Sequence, residues 1–238
     1  MRIIEKKENQ MSFATEAEDN LINAVRRYIS EIPVLAIEEV EIIKNDSPLY
    51  DETIGHRLGL IPLKMEKSAG EKGVKLKLSA KDAGTVYSGQ LKGNADVAYD
   101  KIPITSLNEE QELEIIATTG FGKGSEHSKF LPGFMFYRHA SEITMDKPLL
   151  DKIKKACPDA EIKEKGDKII VFDNKDKEIR DVCEGISEKS GKKPEVRETG
   201  ELIVTLESFG QMSPKDIFNK SVSQMKKDLA EVAKKVSK

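Results

Sequence analysis

This sequence of 238 residues has little of several features that mark particular classes of protein. It contains no tryptophan, two cysteines and three histidines, and aromatic residues make up 5% of it. Two cysteines cannot build the disulfide framework of a small secreted protein, so we expect a cytoplasmic protein. Its two cysteines would be reduced thiols, with a disulfide bridge between them as the less favoured alternative. The apolar runs, such as Val34–Ile37 and Ile169–Phe172, are far shorter than the roughly 18 residues of a membrane-spanning helix.

The sequence also lacks a strong charge of either sign. Its 39 lysines and arginines nearly balance 42 acidic residues, which gives a formal net charge of −3. A protein whose main task is to coat nucleic acid has a strong basic excess, so we expect no direct sequence-specific contact with nucleic acid. Charged residues nevertheless make up 34% of the chain, above the roughly 25% usual for soluble domains, which favours several small lobes over one globule.

No compact metal-binding or catalytic motif is present. The histidines His56, His127 and His139 form no His-x-x-x-His pair, and Cys157 and Cys183 are too far apart for a Cys-x-x-Cys pair. Nothing in the sequence brings together a nucleophile, a base and oxyanion donors. These absences favour an interaction module over an enzyme.

One glycine-rich segment, Gly120–Gly124, superficially resembles a phosphate-binding loop. A Walker A motif needs Ser or Thr directly after its lysine, so that the hydroxyl can reach magnesium, but here Gly124 follows Lys123. The segment also lies among predicted antiparallel strands. We therefore predict a hairpin loop, with phosphate binding as the less favoured alternative.

The amino-terminal region has the patterns of a helix followed by a strand. Thr15 and Glu18 have the spacing of a capping box, which predicts a helix that begins there and ends before Pro33. Val34–Ile43 alternates as a strand with a slip in phase, which indicates a bulge. The apolar residues of the helix recur at helical spacing: Leu21, Ile22, Val25 and Ile29.

The spacing of apolar residues changes twice in the central region. From Val74 to Tyr137 apolar and polar residues alternate, which predicts an antiparallel sheet of short strands. Between about Met145 and Thr199 the order helix, strand, helix, strand predicts a small α+β lobe. The fold class predicted for the whole chain is therefore α+β.

The last predicted helix has an N-cap at Ser213 and a proline, Pro214, at its first position. Apolar residues then recur at steps of four and three, which is the a/d pattern of a coiled coil. Two interpretations stay open: the helix packs on its own domain, or it pairs with a helix of another chain, for which a narrow stripe is typical. We call this stripe the apolar seam: Phe218, Val222, Met225, Leu229, Val232 and Val236.

Two parts of the sequence resemble a known family. The first part comprises Asn23–Arg27, Glu31–Ile37 and His56–Leu63, and the second is Ala117–Phe130. Both are similar to the alpha-like subunits of cellular RNA polymerases, above all to the archaeal members of that family. The resemblance covers most of the chain but is weak from about Met145 to Thr199.

The resemblance implies a discontinuous α+β architecture and a non-catalytic function. Residues 1–44 and 200–238 would form an alpha-like dimerisation domain, 45–144 an antiparallel β insert domain, and 145–199 a ferredoxin-like α+β lobe. The dimerisation domain would pair with the small alpha-like subunit, L. Small zinc-bearing subunits would then join, and the second-largest subunit would dock on the resulting platform. The magnesium-binding carboxylates of such a polymerase belong to its largest subunit.

The resemblance also implies two sets of interface residues. For Arg26 and Arg27, a solvated helix face is an equally weighted alternative. The predicted contacts with subunit L are Leu21, Ile22, Val25, Phe218, Val222, Met225, Leu229 and Val232. The predicted contacts with the second-largest subunit are Arg26, Arg27, His56 and Arg57.

One departure from the family concerns metal binding. Many archaeal members of the family carry iron–sulfur clusters in the ferredoxin-like lobe, and a cubane cluster takes four thiolates. This lobe offers only Cys157 and Cys183. We therefore expect no iron–sulfur cluster and no other cofactor, with packing of the lobe in place of stabilisation by metal.

Two other functions remain as alternatives. A stand-alone nucleotide-binding protein would use the Gly120–Gly124 segment, and saturable binding of ATP with magnesium would favour it. A homodimeric scaffold like the bacterial alpha subunit would pair its helices with themselves through a self-complementary interface.

Overall fold

The computed structural model describes residues 1–65, 73–175 and 177–237. Helices and antiparallel sheets occur together in these ranges, which confirms the predicted α+β class. Contacts divide the chain into two compact units, each made of two separate stretches: Met1–Ala24 with Met135–Leu206, and Val25–Phe134 with Glu207–Lys238. The boundaries at residues 44, 144 and 199 between the dimerisation domain, the insert domain and the ferredoxin-like lobe stay a prediction. No helix in the described ranges is both long and apolar enough to cross a membrane.

The largest sheet has six strands. Its first two strands form an antiparallel hairpin, and a buried hydrogen bond of 3.0 Å joins the hydroxyls of Ser12 and Thr205. In spatial order the strands are β1 (Arg2–Lys6), β2 (Gln10–Thr15), β12 (Glu195–Ser208), β9 (Gly133–Asp146), β11 (Lys168–Asp173) and β10 (Glu161–Lys165).

Two helices share a small apolar core with this sheet in the first unit. They are α3 (Leu150–Ala156) and α4 (Arg180–Glu188), close to where the sequence predicts them. Alternation along β11 directs Ile169 and Val171 to one face, where they are fully buried. The buried members of this core are Ile143, Met145, Leu149, Ile153, Cys157, Ile169, Val171, Ile179 and Cys183.

The second unit contains the other two sheets. The four-stranded sheet has the order β3 (Val34–Asn45), β8 (Leu113–Gly122), β4 (Lys75–Ala80) and β6 (Lys92–Gly93), and a separate pair joins β5 (Gly84–Tyr87) to β7 (Pro103–Leu107). All of these pairings are antiparallel, as predicted. The predicted bulge in β3 is confirmed by a register shift between Ile37 and Glu39. Helix α2 (Asp51–Gly59) packs on β3, and its Ile54 and Leu58 lie in the core.

Two further helices are α1 (Asp19–Tyr28), followed by a 3-10 turn at Ile29–Glu31, and α5 (Pro214–Val236). The capping box predicted at Thr15 is wrong. Thr15 ends strand β2, and its hydroxyl accepts a hydrogen bond from the backbone N–H of Ala17 at 3.3 Å. Pairing of β2 with β1 reaches Ala14, so the backbone is still a strand at Thr15 and α1 begins four residues later.

Candidate functional site

Helix α5 begins as the sequence predicts. The hydroxyl of Ser213 accepts a hydrogen bond from the backbone N–H of Asp216 at 3.2 Å, and Pro214 occupies the first turn. The N-cap satisfies one of the backbone donors that every helix leaves unpaired at its start. A defined start fixes which residues of α5 face the rest of the second unit.

The two halves of α5 differ in burial. In the first half Ile217 is fully buried, and Ser221 is buried one turn later. In the second half Leu229, Val232 and Val236 are 58%, 56% and 81% exposed. The contacts of the second unit therefore cover the start of α5 and leave its end open.

The apolar seam lies beside the buried stripe of α5. Ile217 and Ser221 each immediately precede a seam residue, so the buried stripe and the seam are neighbours on the helix surface. The seam residues Phe218, Val222 and Met225 are half-buried, whereas Leu229 and those beyond it are exposed. Five predicted contact residues thus share one stripe of α5, and their exposure increases toward the helix end.

The predicted contact residues of α1 are placed differently. Leu21 is half exposed, at 50%, whereas Ile22 and Val25 are buried. The side chains of Ile22 and Val25 therefore belong to the chain's own core. A contact between these three residues and a partner stays a prediction.

Polar contacts hold α5 near the 3-10 turn at Ile29–Glu31, against which it packs. The Tyr28 hydroxyl donates to the carboxylate of Asp228, and Gln224 Nε2 donates to Asp228 Oδ1 at 2.9 Å. Desolvation, followed by the charge of Asp228, raises the pKa of Tyr28 above its ordinary value. Asp228 is therefore committed to contacts within the second unit. The sequence gives no local signal for these contacts because Tyr28 and Asp228 are far apart along the chain.

The predicted basic set lies in the last turns of α1 and α2. Arg26, Arg27, His56 and Arg57 are all exposed, and the positive charges of the three arginines suit the carboxyl ends of helices. The Arg57 guanidinium donates to the backbone carbonyl of Ile104 at 2.8 Å, so one of its donors serves the fold. A solvated helix face for Arg26 and Arg27 remains the alternative.

A cleft of about 140 Å³ adjoins α2 and includes His56, Glu38, His127 and Lys129 among its lining residues. The Nδ1 atom of His127 accepts a hydrogen bond from the backbone N–H of Lys129 at 3.1 Å. The Lys129 ammonium donates to the carbonyl of Ile37 at 3.2 Å. The contact with Ile37 fastens the segment after β8 to β3. Sequence reasoning did not pair His56 with His127.

The hairpin loop predicted at Gly120–Gly124 is wrong for its first three residues. Gly120–Gly122 belong to β8 and pair with Val34–Ala36 of β3. A Cβ on Gly122 would lie 2.4 Å from the ring of Phe130, so this glycine allows close packing. The Lys123 ammonium binds Glu31 Oε2 at 3.1 Å. Strand pairing, packing and an ion pair thus account for this segment without a phosphate.

The two cysteines lie in the apolar core of the first unit. Cys157 and Cys183 are both buried free thiols, and burial raises the pKa of the Cys183 thiol to about 12. Two thiols cannot supply the four thiolates of a cubane cluster. Within the described ranges, no group of three or more His, Cys, Asp or Glu residues could hold a metal ion. These residues do not fit an iron–sulfur cubane.

Comparison with known proteins links this chain to one family. A family model described as the RNA polymerase Rpb3/RpoA insert domain matches residues 22–132. The DNA-directed RNA polymerase subunit Rpo3 of Methanosphaera stadtmanae is 31% identical over 245 aligned positions, which cover 91% of both chains. Rpo3 of Halobacterium salinarum is 30% identical over 214 positions, which cover 85% of this chain and 83% of that subunit.

A further relative matches over a shorter part. Rpo3 of Thermococcus kodakarensis is 38% identical over 163 positions, which cover 63% of both chains. The match thus spans less than two thirds of the length of that subunit.

Proposed function

Because this chain belongs to the Rpo3 family of archaeal DNA-directed RNA polymerase subunits, we propose that it is a non-catalytic assembly subunit of that polymerase. In this proposal it heterodimerises with the small alpha-like subunit L. The pair then forms the platform on which the second-largest subunit docks, together with small zinc-bearing subunits. The chemistry of nucleotide transfer lies in other subunits, and the cytoplasmic location stays a prediction.

The observation that carries this proposal is the open end of the apolar seam. Leu229, Val232 and Val236 expose more than half of their side chains although they continue the stripe of Phe218, Val222 and Met225. Removal of exposed apolar surface from water contributes roughly 25 cal/mol of favourable free energy for each Å². A regular a/d stripe offers that surface in the form that a second helix can cover.

Coexpression with subunit L tests the proposal. We expect Met225→Ala and Leu229→Ala each to cost about 2 kcal/mol of binding if they lie at the centre of the interface. The double variant should then lose L during affinity purification, whereas Lys227→Ala, a control for an exposed residue away from the seam, should retain it. Retention of L by the double variant at the wild-type level would contradict the proposal.

The second proposed contact is with the second-largest subunit through Arg26, Arg27, His56 and Arg57. It is supported by their exposure and by the ability of arginine to bind carboxylates with two parallel hydrogen bonds. Charge reversal in Arg27→Glu should weaken docking of the second-largest subunit on the preformed pair with L. Unchanged assembly would favour the solvated helix face.

We also propose that the lobe at residues 145–199 holds no iron–sulfur cluster. Its packed apolar core, which includes both cysteines, supports this proposal. Protein purified without oxygen should show no absorption band near ~400 nm, where a cluster ligated by thiolates absorbs. A brown preparation with such a band would overturn it.

A further inference from the structure

Positively charged side chains outnumber negatively charged ones along the borders of the apolar seam. Lys226 follows Met225 and lies one turn before Ala230, on the edge of the seam that faces away from the buried Ile217 and Ser221. Lys235 lies one turn after Val232, on the opposite edge, beyond the point where α5 loses its contacts. Both lysines are exposed. We call Lys226 and Lys235 the flanking lysines.

The acidic residues of this half of α5 do not offset the flanking lysines. Asp228 borders the seam, but it accepts hydrogen bonds from Gln224 and Tyr28 within its own unit. Glu231 lies on the back of the helix, one turn after Lys227. Neither flanking lysine forms an ion pair with any residue in the described part of the chain.

We propose that the flanking lysines select the occupant of the seam: an amphipathic helix whose apolar stripe is bordered by aspartate or glutamate. This inference rests on the proposed function and adds the chemistry by which the partner is recognised. Residues that border an a/d stripe form the ion pairs that determine the choice of partner. Carboxylates on the partner would face the two ammonium groups as the apolar stripes meet.

The same charges disfavour pairing of two copies of this chain. Helix α5 carries six lysines against Asp216, Asp228 and Glu231, so two copies side by side would bring together two positively charged helices. A symmetric interface places each surface against its own copy, so no acidic edge would face the flanking lysines unless Asp228 left its partners. The charge pattern thus favours a heterodimer over the homodimeric scaffold.

Charge reversal tests the inference on the full chain. The test variant is Lys226→Glu/Lys235→Glu, and the matched control is Lys220→Glu/Lys234→Glu, which makes the same charge change on the exposed back of α5. Binding to purified subunit L is measured by isothermal titration at about 50 mM and about 500 mM NaCl. Circular dichroism establishes that each variant keeps the helix content of the wild type.

We expect the test variant to bind L about tenfold more weakly than the control at low salt. The difference in affinity between the two variants should become smaller at high salt, because salt screens the charges. The Debye length falls from about 10 Å at 0.1 M to about 3 Å at 1 M. Equal binding by the two variants would overturn the inference and leave the proposed function intact. Failure of the wild-type chain to bind L would overturn the proposed function and the inference together.

Discussion

The first and second halves of α5 continue one apolar pattern but have different surroundings. Around Ile217 the helix packs on its own unit, close to Gly133 of β9, and the Ile217 side chain is fully buried. Around Leu229 the same spacing continues, yet more than half of the side chain is exposed. Apolar spacing therefore establishes that a stripe exists but not what covers it.

The difference separates two roles that one helix can have. Burial of a side chain within the chain contributes to the free energy of folding, whereas burial on association contributes to the free energy of binding. The first half of α5 should then matter for stability of the isolated chain. The second half should matter chiefly once a partner is present.

The largest expected effect compares Ile217→Ala with Leu229→Ala. Ile217→Ala leaves a cavity in a closed core and should lower the free energy of unfolding by about 3 kcal/mol. Leu229→Ala removes a largely exposed side chain and should change it by less than about 0.5 kcal/mol. Urea denaturation followed by circular dichroism measures both, since the chain has no tryptophan to report by fluorescence. Equal losses of unfolding free energy in the two variants would contradict the distinction between the two halves of α5.

A second substitution sharpens the comparison at the closed half. A Cβ on Gly133 would lie 2.2 Å from the backbone carbonyl oxygen of Glu207 and 3.1 Å from Ile217 Cδ1. Gly133→Ala should therefore destabilise the chain by about 1–3 kcal/mol, because backbone must move. A Cβ on Gly185, in α4, would meet nothing within 4 Å beyond the backbone of its own helix, so the control Gly185→Ala should stabilise the chain by about 0.5–1 kcal/mol. The unfolding temperatures of both variants provide the measurement. A Gly133→Ala chain as stable as the wild type would show that the contact between Gly133 and Glu207 is looser than this.

Much of the fold follows from local sequence signals. The cap at Ser213, the bulge in β3 and helices α3 and α4 were all predictable from residue type and spacing. Strand β10 was not, because Ile162 is its only apolar residue. The end of strand β2 was missed because Thr15 and Glu18 match a capping box, whereas β2 pairs with β1 as far as Ala14 and ends at Thr15.

The candidate site was predictable in part. The seam follows from spacing alone, since the a/d pattern is local to α5. The burial of Ile22 and Val25 depends on residues distant in sequence, as do the contacts of Tyr28 with Asp228 and of Lys123 with Glu31. Glycines in a segment such as Gly120–Gly122 fit a loop or a tight strand equally well until the neighbouring Phe130 is known.

A smaller effect is expected where the closed and open halves of α5 meet. Tyr28→Phe removes the hydroxyl that donates to Asp228 and should lower the free energy of unfolding by about 1 kcal/mol. Tyr50→Phe is the matched control, because Tyr50 is 81% exposed and should lose almost nothing. The urea midpoints of unfolding of the two variants, each compared with that of the wild type, measure these losses. A loss for Tyr50→Phe as large as that for Tyr28→Phe would mean that the bond to Asp228 does not hold α5.

The smallest expected effect lies in the 3-10 turn at Ile29–Glu31, against which α5 packs. The Lys123 ammonium, which donates to Glu31, holds the pKa of that carboxyl below its ordinary value of 4.5, and the Ser125 hydroxyl adds to this. A lowered pKa stabilises the fold above pH 4.5, and that contribution is lost as the pH falls through the folded value. Because both side chains are about one third exposed, Glu31→Gln should cost only about 0.5 kcal/mol at pH 7. Urea titrations of wild type and variant should converge well below pH 4.5, whereas a constant difference would assign the loss to packing rather than to charge.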